Sequence, residues 1–247
     1  MNSLDTVLAN AIGGATRRRA ARGRAGFALS PSWCRDAARW YDDAPLDGAG
    51  RTGRDLYELF KLETLAQFEA LTASGFTIRP WLADGQPYET SRELREHVVR
   101  EHTLYVYLTE NGHGPEAAHI ASSGHPMLEL SGYSVDGVTF TYNDLFRAVH
   151  DLFGHVLHPN AFTIDGELCA VMSHLTMYSA EAGRVVLSET AAQICWYYFG
   201  PHLLGAGGQA RPYPPQKVLV MPGHLVDGFW DMFCFLHPSM TACAVAA

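Results

Sequence analysis

Residues 143–199 read NDLFRAVHDLFGHVLHPNAFTIDGELCAVMSHLTMYSAEAGRVVLSETAAQICWYYF. Two histidines five apart, His150 and His155, stand in the run His-Asp-Leu-Phe-Gly-His, and Glu167, His174 and Glu189 follow. The apolar periodicity predicts three helices, from Asn143 to about Phe153, from Asp165 to Tyr178 and from Glu181 to Tyr198. Imidazole and carboxylate groups carried on helices are the ligand set of non-haem iron and of catalytic zinc. The stretch predicts a metal site on a helical framework.

On an ideal helix, positions five apart point about 140° away from each other, so His150 and His155 would not face one ion. Gly154 offers a way out: a left-handed turn there would end the helix and swing His155 back over the last turn. Asp151 either orients a ligand histidine or is a capping or surface charge. Glu189 has Ala182, Val185, Val186, Ala192, Gln193 and Trp196 as its helical neighbours, which predicts a buried carboxylate. No lysine or arginine shares that face, and a buried carboxylate needs a compensating cation or strong hydrogen bonds. A metal ion held by His150, His155 and Glu189 meets the need. Glu167 and His174, seven apart, project from one helical face with Val171 and Tyr178. They read as ligands of a second ion, as a catalytic acid/base pair, or as support behind the first site. Tyr178, Gln193 and Trp196, one or two turns from these groups, are candidates for substrate contact.

The rest of the chain narrows the function classes. A net charge of −8 argues against nucleic acid as the main partner. The local exception is Arg17, Arg18, Arg19, Arg22 and Arg24, read as part of a flexible basic arm over residues 1–26. No apolar run follows it as a secretory signal would require, and no segment is long enough to span a membrane. The five cysteines are odd in number and lack any Cys-x-x-Cys spacing, which points to a reducing cytoplasm. Residues 27–247 are expected to form one domain, mainly helical with a small β-sheet (α+β). Its predicted helices begin with Trp33–Tyr41, capped by Ser32, and a long one from Asp55 to Ser74. A charged helix capped by Thr90 or Ser91 and a strand from Thr103 to Leu108 come next. The segment 110–137 reads as loop, and a last helix runs from about His224 to Leu236.

Two resemblances attach to these motifs. His150-Asp-Leu-Phe-Gly-His155, with Glu189 on a later helix, resembles the iron motif of the aromatic amino acid hydroxylases. Those enzymes use His-Glu-Leu-Leu-Gly-His and a glutamate some two helices on. The likeness covers roughly sixty residues and implies a helical catalytic domain with Fe(II) on His150, His155 and Glu189. That family's Thr-Pro-Glu-Pro-Asp lead-in is replaced here by Arg147-Ala148-Val149, and nothing marks a pterin pocket. From about Tyr88 to Pro222 the chain also resembles an uncharacterised bacterial and phage family. Its shared features here are Asn143 to His155, Gly166-Glu167 with His174, and Ser188-Glu189-Thr190 with Gln193. Leu168, Ala191 and Ala192 depart from its usual polar residues.

The expected function is a non-haem Fe(II) monooxygenase or hydroxylase acting with O₂ on a small molecule, amino-acid-like or a specialised metabolite. A dinuclear iron or manganese oxygenase would add Glu167 and His174 as ligands. A zinc hydrolase would keep the triad with a metal-bound water as nucleophile. A structural metal protein would close the shell with a fourth ligand.

Overall fold

The computed structural model describes residues 24–112, 124–204 and 212–235. Eight helices carry the site and its support: α1 (Pro31–Asp43), α2 (Gly50–Ala73), α3 (Ser91–Glu101), α4 (Tyr142–His150), α5 (Ile164–Leu175), α6 (Ala180–Leu187), α7 (Gln193–Phe199) and α8 (Gly223–Asp231). Most begin at a residue suited to the task. Thr90 and Thr141 each form a reciprocal cap, with Glu93 and Asp144, while Thr163 and Ser179 accept from the third amide on. The cap of α1 is Ser30, which accepts from Trp33, rather than the expected Ser32; Pro31 suits the first helical position.

The chain is mainly helical, as expected, but its strands do not make one small sheet. Among the described residues six strands form three separate pairs. β1 (Arg24–Phe27) lies antiparallel to β6 (Phe233–Phe235), β2 (Thr77–Pro80) parallel to β3 (Thr103–Val106), and β4 (Leu130–Val135) antiparallel to β5 (Val138–Thr141). Residues 24–26 of the expected basic arm are therefore strand, and residues 1–23 lie outside the described residues. β4 and the turn that joins it to β5 stand in the segment 110–137 read as loop. The turn is closed by Asp136 and Gly137, both at positive φ, a conformation a composition-based reading passes over. The last helix stops at Asp231, where β6 pairs with β1.

α2 is the central element. It packs against α4 on one side and α6 on another, and α7 packs on α1. Tyr57, Phe60, Phe68 and Leu71 of α2 are fully buried with Phe140, Phe153 and Phe229. Phe60 meets both Phe146 of α4 and Tyr178 in the turn between α5 and α6. α4 and that turn are thus fixed to one aromatic core.

Candidate metal centre

α4 does not end at His150. It runs into a π turn over Asp151–Val156, in which the amide of Leu157 reaches the carbonyl of Leu152, five residues back. A turn of that width places residues five apart over one another. His150 and His155 accordingly meet, with ring centroids 5.2 Å apart. The left-handed turn expected at Gly154 is not there; Gly154 has no positive φ. The glycine is needed for a different reason. A Cβ at that position would lie 3.0 Å from the Ala170 Cβ and 3.4 Å from the Cε1 of His150, so a side chain would push α5 and the His150 ring away.

α5 brings the carboxylate. At Gly166 a Cβ would fall 2.0 Å from the carbonyl oxygen of Ala161, so only glycine lets the helix start this close to the preceding loop. Glu167 follows in the first turn. Its Oε2 lies 3.5 Å from His155 Nε2 and 3.9 Å from His150 Nε2. The ligand atoms of His150, His155 and Glu167 all lie within 4.8 Å of one another, and no other such group occurs among the described residues.

The hydrogen bonds behind the histidines fix which nitrogen faces forward. His155 Nδ1 lies 2.9 Å from the carbonyl oxygen of Asn160. A carbonyl only accepts, so Nδ1 carries a proton and Nε2 is the atom left to face Glu167. Asn160 is itself held by its side-chain amide, which donates to the carbonyl of Gly154 at 2.7 Å. Behind His150 stands His174. The His174 Nε2 donates to Gln67 Oε1 at 3.0 Å, so its Nδ1 accepts from His150 Nδ1 at 3.2 Å, and His150 Nε2 too faces forward.

Charge is distributed to match. Burial alone would raise the Glu167 carboxyl, but the hydrogen bonds and charges of His150 and His155 bring it down to about 2. Burial works to lower His155, yet Glu167 and Asp151 outweigh it and hold the imidazole above its usual range. Below its raised value His155 carries a proton on Nε2, which a cation held there would have to replace. His174 is pushed well below the ordinary histidine range by burial, then by the charge of the other two imidazoles, and stays neutral. Asp151, raised by burial, faces the same groups.

The residues singled out from the sequence divide as follows. His150 and His155 come together as expected, but the carboxylate grouped with them is Glu167, not Glu189. Glu189 is buried, as its apolar neighbours predicted. Its compensating groups are others: Tyr57 donates its hydroxyl to Oε1, Gln193 donates to Oε2 at 3.3 Å, and His125 Nε2 lies 3.4 Å from Oε1. A second π turn, Ser188–Ala192, carries it. Glu189 and Gln193 nonetheless line the same cavity of about 210 Å³ as His150 and Glu167. His174, with both ring nitrogens engaged, has none left for an ion or a substrate. Tyr178 and Trp196 do not line this cavity. The Tyr178 hydroxyl bonds Thr64 at 2.9 Å, and Trp196 donates to Asp42 and stacks on His202. Sequence reading missed Gln67, Asn160, Tyr57 and His125. Each meets the site across a long chain separation or through a backbone atom, and no local spacing announces that.

No protein-family model, curated protein or solved structure matches this chain. The site stands on its own geometry.

Proposed function

We propose that this chain is a non-haem Fe(II)-dependent oxygenase acting on a small molecule, with a single ion held by His150, His155 and Glu167. The observation that carries the reading is the convergence of two Nε2 atoms and one carboxylate, with His150 and Glu167 on the wall of a cavity. The donors fit the ion: two neutral imidazoles and one carboxylate would supply three of its ligands. When bound, iron would supply O₂ activation. The chain's own part is to hold the two imidazoles in a fixed tautomer through Asn160, His174 and Gln67, and to keep the Glu167 carboxylate ionised between them. Phe162, edge-on to His155, and Phe146 beside His150 limit water around the imidazoles.

One ion is favoured over two because His174 is spent on His150 and Gln67, and Glu189 on Tyr57, Gln193 and His125. The test is anaerobic purification with Fe(II), metal counting and oxygen uptake against an amino-acid and metabolite panel. The expected result is one iron per chain, lost in His150→Ala and Glu167→Gln but retained in Glu189→Gln. Iron lost in Glu189→Gln and retained in Glu167→Gln would return the ligand role to Glu189. Activity without oxygen, restored by zinc and not by iron, would make the protein a hydrolase.

A further inference from the structure

Arg147 lies one turn before His150 on α4. It is half-buried and lines two adjoining cavities, the one of about 210 Å³ beside His150 and Glu167 and another of about 400 Å³ walled by Tyr88, Tyr107 and Phe162. Among the described residues its guanidinium donates to the carbonyl of Tyr107, at a long 3.4 Å. Arg54, Arg79, Arg92 and Arg100 each pair with a carboxylate, but Arg147 pairs with none among the described residues. Asp151, four residues on in the π turn and lining both cavities, feels the charge of Arg147 but makes no contact ion pair with it. A cation drawn out of water and left unpaired loses hydration with little return, and its planar fork of donors suits a carboxylate.

We propose that Arg147 binds the carboxylate of the substrate and sets its distance from the metal centre, so that the substrate is a carboxylic acid whose remaining body fills the larger, aromatic-walled cavity. The inference rests on the functional reading above and names the substrate class for that site. It also sets a limit. Asp151, Glu167 and Glu89 line the larger cavity with Arg147, and Asp151, Glu167 and Glu189 the smaller one, while Arg147 is the cation of both linings. A second negative group on the ligand would face these acids unpaired. The site therefore prefers monocarboxylates to dicarboxylates, which separates a substrate carboxylate from a dicarboxylic 2-oxoacid co-substrate.

The test uses matched probes on the full chain, each with and without one equivalent of Zn(II) as a redox-silent ion. The probes are hexanoate and hexanamide, 3-phenylpropanoate and 3-phenylpropanamide, and 2-oxoglutarate, with binding followed by ligand-detected NMR and calorimetry. The expected result is binding of the monocarboxylates and not of their amides, in both metal-free and zinc-loaded protein. Arg147→Gln should weaken that binding about tenfold or more, the loss of a charge-assisted bond, and Arg147→Lys should keep part of it. The metal content and the ligand-free unfolding midpoint of Arg147→Gln should stay as in the wild type. Amides binding as well as acids, no monocarboxylate binding at millimolar concentration, or equal binding by Arg147→Gln would each overturn the proposal. So would a fall in the ligand-free midpoint of Arg147→Gln with its binding unchanged, which would make the arginine a strut for Tyr107. Tighter binding of 2-oxoglutarate than of the monocarboxylates would overturn the charge argument and make the anion a co-substrate. Carboxylate binding that survives in a chain taking up no metal would leave Arg147 standing while the oxygenase reading fell.

Discussion

At the scale of single residues, the centre depends on side chains that never face the cavity. Gln67 accepts from His174, His174 accepts from His150, and the Asn160 carbonyl accepts from His155. The bond to Gln67 puts the His174 proton on Nε2, and the other two put a proton on Nδ1 of His150 and His155 and turn their Nε2 atoms toward Glu167. Gln67→Met removes the acceptor at the far end of one chain, with similar bulk. His174 is then free to take the other tautomer and to present a proton to His150 Nδ1. The expected consequence is a fall of about 10- to 100-fold in metal affinity with the fold retained, read by competition against a coloured chelator. Gln67→Glu keeps an acceptor and should keep most of the affinity. If Gln67→Met binds metal as the wild type does, the relay through His174 has no part in the site. Gly154→Ala acts differently. The added methyl meets the Ala170 Cβ and the His150 ring, so it should cost about 1–3 kcal/mol as overpacking and loosen metal binding with it. Urea unfolding of the metal-free and metal-loaded variant measures the two losses separately.

At the scale of elements, the centre exists because two π turns interrupt what the periodicity reads as ordinary helix. The helices themselves were legible: the cap at Thr90 and apolar spacing located α3, α4 and α6. Burial of Glu189 was legible too, because its neighbours at helical spacing are aliphatic. What was not legible was the i→i+5 hydrogen bonding. It leaves composition unchanged and shifts the side chains that follow by one position around the axis. The problem of two histidines five apart was visible, but the sequence alone suggested a turn at Gly154 where the structure widens the helix instead. The choice of Glu167 over Glu189 was hidden as well, since Tyr57 and His125, which occupy Glu189, come from α2 and from a distant loop. Deleting Leu152 would let an α-helix close in place of the π turn, with the two histidines four apart and still on one face, so the deletion should keep metal binding. Inserting one alanine after Leu152 puts them six apart and should abolish binding while far-UV circular dichroism stays close to wild type. Retained binding in the insertion would show that the turn is not what joins the two imidazoles.

For the molecule as a whole, an ion at this centre would tie the end of α4 to the start of α5, next to an aromatic core anchored on α2. Metal that binds the folded chain and not the unfolded one raises stability by an amount set by concentration over affinity, about 2.7 kcal/mol at a hundredfold excess over Kd. The metal-free chain already has a weaker tie of its own, the pair of protonated His155 with Glu167. The sign of each contribution follows from its shift. Glu167, held down to about 2, stabilises the fold above the ordinary carboxylate range, and that contribution is lost as pH falls through about 2. His155, held above its ordinary range, stabilises the fold below that range, and that contribution is lost as pH rises through its raised value. Metal must displace the His155 proton, so it competes with this tie and gains as the proton leaves. The rise in unfolding midpoint on adding Zn(II) or, without oxygen, Fe(II) should therefore be larger at about pH 8 than at about pH 5.5. In Glu167→Gln the metal-induced rise should disappear at both. Differential scanning fluorimetry with and without a chelator gives all four values. An equal rise at the two pH values would mean that no imidazole proton is exchanged for the ion, and the histidines would then not be its ligands.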